Sequence, residues 1–301
     1  MEHKNYIKIS SVNENISKDI LSYVKKCEFN YQNQITKIVK QTINDKSKKF
    51  ILLAGPSSSG KTTTARLLCE NFASFGIKAK PISLDDFFVN RDETPKWEDG
   101  RYNYESVDAI DWKLFDTCMS NLLNNKKSSM PTYDFITGIK SITYETTLED
   151  NEIIVVEGLH SLNPIIDNFI PKNNSVKIYL SPRVNFVDDD NNEIMNGKQM
   201  RFFRRLIRDA FTRGTSPKQT LEVWPDVQKG EILYIDPFKD NADYHINSVH
   251  LYEVGVYKSI LKQLNLLDDS QLAPFVKLLA NFDFVEKSVV PTTSLLTEFV
   301  H

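Results

Sequence analysis

Short apolar segments alternate with helical segments from Lys49 onward. Runs rich in Ile, Leu and Val predict strands, and apolar residues at three- and four-residue spacing predict helices. The predicted strands cover residues 50–54, 79–84, 152–156, 175–180 and 243–247, and the predicted helices cover 62–75 and 111–124 and begin again at 198 and at 250. This alternation predicts an α/β fold with a mostly parallel sheet and helices on both faces.

The first 48 residues precede this alternation. Ile35, Ile38, Val39 and Ile43 fall at helical spacing, so residues 11–45 are predicted to form an amphipathic helical arm. We expect its apolar face to cover one flank of the core rather than to bind a partner, because an amphipathic stripe usually serves burial within its own protein.

Two later segments depart from the alternation. Residues 132–136 and 141–145 are strand-like and flank a turn at 137–140, which predicts a β-hairpin added to the sheet. Residues 187–197 carry three aspartates and a glutamate among asparagines but lack the ligand spacing of a calcium loop. They are predicted to form a solvated acidic loop.

Composition narrows the class of protein. The 301 residues are 41% hydrophobic and 26% charged, with a formal net charge of −3, which predicts a globular protein whose surface as a whole does not bind polyanions. Three widely separated cysteines fit neither a disulfide framework nor a zinc site. With a polar start and no apolar run of membrane length, the sequence predicts a cytoplasmic protein without a membrane partner.

A phosphate-binding loop follows the first predicted strand. It reads Gly55-Pro56-Ser57-Ser58-Ser59-Gly60-Lys61-Thr62 and leads into a predicted helix, which is the context of a nucleoside triphosphate site. Small residues let backbone N–H groups surround the phosphates, Lys61 reaches the outer phosphates, and the Thr62 hydroxyl can bind Mg²⁺. The helix adds the positive end of its dipole.

Carboxylates end two neighbouring predicted strands. Asp85 and Asp86 follow the second strand, where open α/β sheets bind ligands. If the extended conformation continues, only one of the pair faces the phosphates, and the other makes a cap or loop hydrogen bond. Glu157 ends an almost wholly aliphatic strand, as expected for a carboxylate near a metal. His160 follows closely and is a secondary candidate, since a histidine here is more often structural than a general base.

Arginines form the densest charge feature of the chain. Arg201, Arg204, Arg205 and Arg208 lie on one stripe of a predicted helix, and Asp209 is the sole acidic residue in the local sequence. A solvated helix face and an RNA-binding stripe are the alternatives, although no aromatic platform accompanies the basic face. Because the planar guanidinium binds phosphate oxygens in pairs, the stripe predicts a mobile arginine lid over ATP at about residues 198–230.

These features together resemble the uridine/cytidine kinases and their phosphoribulokinase relatives among the P-loop kinases, from about residue 49 to 247. The resemblance depends on the phosphate loop through Thr63 and on five further segments: Ile82-Ser-Leu-Asp-Asp-Phe-Phe88, Asn103-Tyr-Glu-Ser-Val-Asp-Ala-Ile-Asp111, Tyr133-Asp-Phe135, Val155-Val-Glu-Gly158 and Arg204-Arg-Leu-Ile-Arg-Asp-Ala-Phe-Thr-Arg-Gly214. It implies a P-loop nucleoside triphosphate hydrolase fold, with an N-terminal arm (1–48), a kinase domain (49–301), and C-terminal helices. The chain most resembles bacterial uridine-kinase-like proteins that carry a tRNA-synthetase-like N-terminal region ahead of the kinase, where this sequence has the short helical arm.

The resemblance implies a role for each site residue. Asp85, Lys61, Arg208 and Arg205 are the expected catalytic residues, and Thr62 and Glu157 the Mg²⁺ ligands. ATP is expected to bind Gly55, Ser57, Ser58, Ser59, Gly60, Lys61, Thr62, Thr63, Arg204 and Arg213. The acceptor is expected to bind Asp86, Tyr104, Glu105, Tyr133 and Phe135. The implied cofactors are ATP and Mg²⁺, nucleic acid is not an expected partner, and a homo-oligomer is left open.

Three departures from the family pattern concern the acceptor. Gly138 stands where pyrimidine kinases carry a histidine that reads the base, Phe88 replaces a tyrosine, and Glu105 replaces an aspartate that binds ribose. The preferred reaction is phosphorylation of the 5′-OH of uridine or cytidine. The alternatives are a phosphoribulokinase-like or other small-metabolite kinase and, in another class, a non-catalytic ATP-binding regulatory or RNA-associated module. No Asn-Lys-x-Asp sequence supports a GTPase, while preference between ATP and GTP as donor stays open.

Overall fold

The computed structural model describes residues 5–300. Residues 1–4 of the predicted arm and residue 301 of the predicted kinase domain lie outside the described part. The helices are α1 (Ile9–Thr42), α2 (Lys61–Ser74), α3 (Trp112–Leu123), α4 (Gly197–Thr212), α5 (Pro217–Tyr234), α6 (Glu253–Gln263) and α7 (Ala273–Val276). The strands are β1 (Tyr6–Lys8), β2 (Phe50–Ala54), β3 (Lys78–Ser83), β4 (Ser128–Asp134), β5 (Ile139–Thr146), β6 (Glu152–Glu157), β7 (Ser175–Ser181), β8 (Asn185–Val187), β9 (Glu193–Asn196) and β10 (Tyr244–Asn247).

A five-stranded, wholly parallel sheet forms the centre of the fold, with the strand order β10-β7-β2-β6-β3. This confirms the predicted α/β P-loop fold. β2 pairs with β6, and β6 pairs with β3. Parallel strands end at the same edge of a sheet, so the phosphate loop after β2, Glu157 at the end of β6 and the carboxylates after β3 lie side by side.

Both faces of the sheet are covered. Phe50 and Leu52 of β2 belong to one apolar cluster with α3 and the β4–β5 hairpin, whereas Ile51 and Leu53 belong to a larger cluster with α1, α2, α4 and α6. Alternate residues of a strand point to opposite faces, which is why a continuous apolar run is buried on both sides. Each of these side chains contributes about 1.5–3 kcal/mol by leaving water.

The predicted arm, α1, packs along the larger cluster and is fastened to the edge of the site. The Tyr31 hydroxyl lies 2.6 Å from the Thr64 hydroxyl in α2, and Gln34 exchanges hydrogen bonds with the backbone of Asn247. The helix has a kink at Asp19, where φ is −165° and ψ is 91°. The arm thus touches the helix that follows the phosphate loop.

Three sequence expectations need correction. The predicted hairpin, β4–β5, is a separate two-stranded sheet and does not extend the central sheet. The acidic segment forms the antiparallel β8–β9 pair, which joins β1 in a third sheet; its turn is held by the Asp188 carboxylate, which accepts from the amides of Asp190 and Asn192. Beyond α6 the chain forms short turns rather than long helices, and the segment Ser294–Val300 returns to α2.

Within residues 5–300, no helix is both long and apolar enough to span a membrane.

Candidate active site

The phosphate loop adopts backbone conformations that its residues are suited to. Gly60 has φ of +98° immediately before α2, and Ser58 has φ of +59°. A Cβ on Gly55 would lie 2.2 Å from the Leu180 carbonyl oxygen, so only glycine fits against β7. The loop therefore ends at the first turn of α2, whose amides have no partner within the helix and favour an anion.

Two buried arginines of α4 support this loop from outside. Arg201 donates to the Ser57 carbonyl at 3.1 Å and Arg204 to the Ser59 carbonyl at 3.2 Å. Arg201 pairs with Glu231 of α5, and Arg204 forms a two-pronged pair with Glu253 of α6 at 2.9 Å for each bond. These bonds fix the loop carbonyls on the side of α4. The backbone N–H groups of the loop are then expected to face the phosphates from the opposite side.

The predicted phosphate contact of Arg204 does not agree with this placement. Its side chain is fully buried, and its guanidinium is already bonded to Glu253, the loop carbonyls and Ser248. Sequence reasoning counted only Asp209 as an acidic partner and missed Glu231 and Glu253, which come from later helices. α4 is consequently packed into the core, and the predicted lid of residues 198–230 begins with a fixed helix.

Lys61, Thr62 and Glu157 converge where the outer phosphates are expected. The Lys61 ammonium group lies 3.4 Å from the Pro56 carbonyl oxygen, across the loop. The Glu157 carboxylate accepts hydrogen bonds from the hydroxyls of Thr62 and Ser83, both at 3.1 Å. Burial, together with the nearby Asp85 charge and against the Lys61 charge, raises the pKa of Glu157 to about 7. Ser83 was not among the predicted site residues.

This donor set fits Mg²⁺. A hydroxyl and a carboxylate offer the hard oxygen ligands that Mg²⁺ prefers, and proteins commonly supply only one or two of its ligands beside phosphates and water. Among residues 5–300, no group of three or more His, Cys, Asp or Glu side chains is placed to hold a metal ion.

The two aspartates after β3 have different surroundings. The strand ends at Ser83, and Leu84–Phe87 form a 3₁₀ turn, so the extended conformation on which the orientation argument depended does not continue. The Asp86 carboxylate accepts from the Tyr133 amide at 3.3 Å, which ties this turn to the hairpin. No hydrogen bond within the described residues occupies the Asp85 carboxylate, and its charge raises the pKa of both Glu157 and Glu105.

A second group of arginines lies further along α4. Arg205 donates to the Ser57 hydroxyl at 2.8 Å, which places it at the loop. Arg205, Arg208 and Arg213 share the single Asp209 carboxylate, at 3.3, 2.7 and 3.8 Å. One carboxylate cannot neutralise three guanidinium groups, so this cluster keeps a surplus of positive charge beside the loop.

An aromatic cluster joins the segment after β3 to the β4–β5 hairpin. Phe88 makes edge contacts with Tyr104, Tyr133 and Phe135, with ring centroids 5.5–6.2 Å apart. The Arg213 guanidinium lies 5.7 Å from the centre of the Phe135 ring, which joins this aromatic cluster to the arginines. The predicted acceptor residues thus come together. They are supplied by the β4–β5 hairpin and by the segment that follows β3.

Buried polar groups near this cluster have free hydrogen-bonding capacity. One Glu105 carboxylate oxygen, the Tyr133 hydroxyl and both His160 ring nitrogens make no hydrogen bond of good geometry within residues 5–300. Burial raises the pKa of Glu105 to about 7 against the opposing charges of Arg205 and Lys61. Burial lowers the pKa of His160 to about 4, so its ring is neutral at pH 7. Unpaired buried polar groups are costly, so these groups are candidates to bind polar groups of the acceptor.

The space beside Gly138 is occupied by Arg91, which sequence reasoning missed. A Cβ on Gly138 would lie 2.7 Å from the Arg91 side chain, and Gly138 has φ of +74°. The Arg91 guanidinium donates to the carbonyls of Phe135 and Ile136 at 2.7 and 3.3 Å and to the Tyr104 hydroxyl at 3.2 Å. The missing histidine therefore leaves no gap, and a histidine placed at 138 would be strained and would clash.

The fold and the arrangement of loop, lysine and carboxylates define a P-loop phosphotransferase. The chain belongs to the phosphoribulokinase / uridine kinase family, whose family model matches residues 50–254. It is 28% identical over 192 residues to a uridine kinase of Deinococcus deserti, covering 64% of this chain and 83% of that protein. It is 31% identical over 197 residues to a uridine kinase of Lactobacillus helveticus, with the same coverage.

A solved structure supports the fold. The provisionally assigned fructose transport system kinase from Silicibacter sp. TM1040 superimposes with a TM-score of 0.50 at 14% identity, covering 70% of this chain and 98% of that one. Together these findings establish a small-molecule kinase that transfers a phosphoryl group to a hydroxyl acceptor.

Proposed function

We propose that the protein transfers the γ-phosphoryl group of ATP to the 5′-OH of uridine or cytidine. The observation that carries this proposal is the position of Asp85. Its carboxylate is close enough to influence both Glu157 at the phosphate loop and Glu105 beside the aromatic cluster. A base between the donor and acceptor sides is what transfer to a hydroxyl requires.

Each side of the site has a distinct task. Asp85 accepts the proton of the acceptor hydroxyl as its oxygen bonds to the γ-phosphorus and the bond to the leaving ADP breaks. Lys61 and the loop amides hold the phosphates, and Arg205 and Arg208 stabilise charge on the transferring group. Mg²⁺, held by Thr62 and Glu157, would neutralise charge on the outer phosphates. Arg204 acts indirectly, by shaping the loop.

The acceptor side suits a nucleoside. Aromatic rings can stack on a base, and the free oxygen of Glu105 can accept from ribose hydroxyls. The Arg91 guanidinium donates to two hairpin carbonyls and to a tyrosine hydroxyl. The N–H groups that make these bonds are not free to read a base edge. We therefore expect kcat/KM values for uridine and cytidine within about tenfold of each other, since a flat aromatic slot distinguishes isosteres weakly.

An acceptor panel tests this proposal. ADP release would be measured with uridine, cytidine, adenosine, guanosine, ribulose 5-phosphate and pantothenate, each against a Lys61→Ala control that reports background hydrolysis. Turnover of both pyrimidine nucleosides above the other acceptors is the expected result. Turnover of ribulose 5-phosphate without nucleoside turnover would contradict the proposal and would assign Arg213 to an anionic acceptor.

Arg91→Ala is expected to raise the KM for the nucleoside by about tenfold and to change kcat less. The variant removes the bonds that hold Tyr104 and the hairpin turn together, so the acceptor side loses order while the phosphate loop is untouched. Steady-state kinetics with uridine as the varied substrate would measure the effect. Arg101→Ala is the matched control, because Arg101 bonds Asp99 and Asp226 outside the aromatic cluster. Equal KM values for the two variants would refute a positioning role.

A further inference from the structure

The segment Ser294–Val300 lies against the phosphate loop, at the opening turn of α2. The Glu298 carboxylate accepts a hydrogen bond from the Thr63 amide at 3.0 Å, across 235 residues of sequence. Leu295 packs so closely on Gly60 that a Cβ there would lie 2.3 Å from its Cδ1 atom. A carboxylate thus occupies a backbone amide in the first turn of the helix that binds phosphate.

The Thr63 amide belongs to the inner end of the phosphate site. In a phosphate-binding loop, the lysine reaches the β- and γ-phosphates, and backbone amides hold the α- and β-phosphates. Lys61 and the Thr62–Glu157 pair mark the outer end, next to Asp85. Thr63 is the next residue along α2, and the pattern of such loops assigns its backbone amide to the phosphate nearest the nucleoside of ATP. The Glu298 oxygen therefore stands in the place of an oxygen of that phosphate.

The rest of the segment holds Glu298 in this position. Leu295, Leu296 and Phe299 are fully buried. The Ser294 hydroxyl donates to Glu28 of α1 at 2.6 Å. The Phe299 ring lies 5.0 Å from the guanidinium of Arg204, the same arginine that supports the loop. The carboxylate is consequently presented by packed neighbours rather than by a free side chain.

We propose that Glu298 is a residue that determines donor specificity, because it competes with the inner phosphate of a nucleoside triphosphate for the Thr63 amide. This inference depends on the proposed use of ATP. A donor with an inner phosphate must displace the carboxylate and overcome the repulsion between two anions. Pyrophosphate bound at the two outer positions would not compete for the Thr63 amide, although the Glu298 charge reaches Glu157 at that end of the site.

Glu298→Gln tests the inference. The variant keeps the shape of the side chain and removes its charge, so MgATP is expected to bind about ten- to hundredfold more tightly, as charge-assisted hydrogen bonds are worth that much. The affinity for magnesium pyrophosphate is expected to stay within about twofold. Isothermal titration calorimetry on the full chain measures both. Glu286→Gln, which removes an equal charge away from the loop, is the control, and Glu298→Ala is a second variant.

Each outcome decides the inference. Unchanged or weaker ATP binding by both Glu298 variants, with unchanged melting temperatures, would overturn it, as would equal tightening for ATP and pyrophosphate. These measurements need no acceptor. If Glu298→Gln tightens ATP while the acceptor panel shows no nucleoside turnover, the inference stands and the proposed acceptor is wrong. If neither wild type nor any folded variant binds ATP, both fail.

Discussion

Lys61→Ala is expected to lower kcat by about 10³ or more while the protein stays folded. The ammonium group lies 3.4 Å from the Pro56 carbonyl oxygen, where we expect the outer phosphates to bind and charge to gather in the transition state. ADP release at saturating uridine would measure the loss, and circular dichroism with thermal unfolding would show that the fold survives. Lys46→Ala, at an exposed position outside the site, is the control.

A modest result would be informative. If Lys61→Ala retained more than about a tenth of the wild-type turnover, the loss would be less than about 1.4 kcal/mol of transition-state stabilisation. That is too small for the lysine of a phosphate-binding loop, and the assignment of the donor site to residues 55–63 would be wrong.

Asp85→Asn is expected to lower kcat by about 10² or more, whereas Asp86→Asn is expected to be milder. The asparagine keeps the shape of Asp85 but cannot accept the proton of the acceptor hydroxyl. Asp86 is already engaged by the Tyr133 amide, so its loss would affect the position of the hairpin and hence mainly KM. Parallel measurements of kcat and KM on the two variants separate these roles. A larger kcat loss in Asp86→Asn would mean that the base is Asp86.

The sequence predicted the strands of the central sheet to within about a residue because their apolar runs are local signals. β2 was predicted at residues 50–54 and is observed as Phe50–Ala54, and β6 was predicted at 152–156 and is observed as Glu152–Glu157. The phosphate loop could be predicted equally well from the sequence, because its function depends on consecutive residues. The separation of the β4–β5 hairpin from the sheet depends on pairing between distant strands, which no local pattern carries.

The roles of single side chains were harder to predict, for the same reason. Arg204 and Arg205 are adjacent in sequence, but only Arg204 meets Glu253, which lies 49 residues further on. Arg91 fills the space beside Gly138 from a different loop, and Glu298 reaches Thr63 from the far end of the described chain. Nothing in the spacing of these residues distinguishes a buried structural partner from one that faces a ligand.

The support of the phosphate loop by Arg201 and Arg204 has a consequence for protein engineering. α4 holds the loop with its first turns and carries Arg205 and Arg208 further along, so the loop and these arginines are fastened to one helix. α5, which makes up the rest of the predicted lid, is anchored to the same unit, because Glu231 pairs with Arg201 and Trp224 and Val227 are buried in the larger apolar cluster. A chimera that takes only residues 55–62 from a relative would separate the loop from the arginines that support it. Arg201 and Arg204, with their partners Glu231 and Glu253, would have to be exchanged together with the loop.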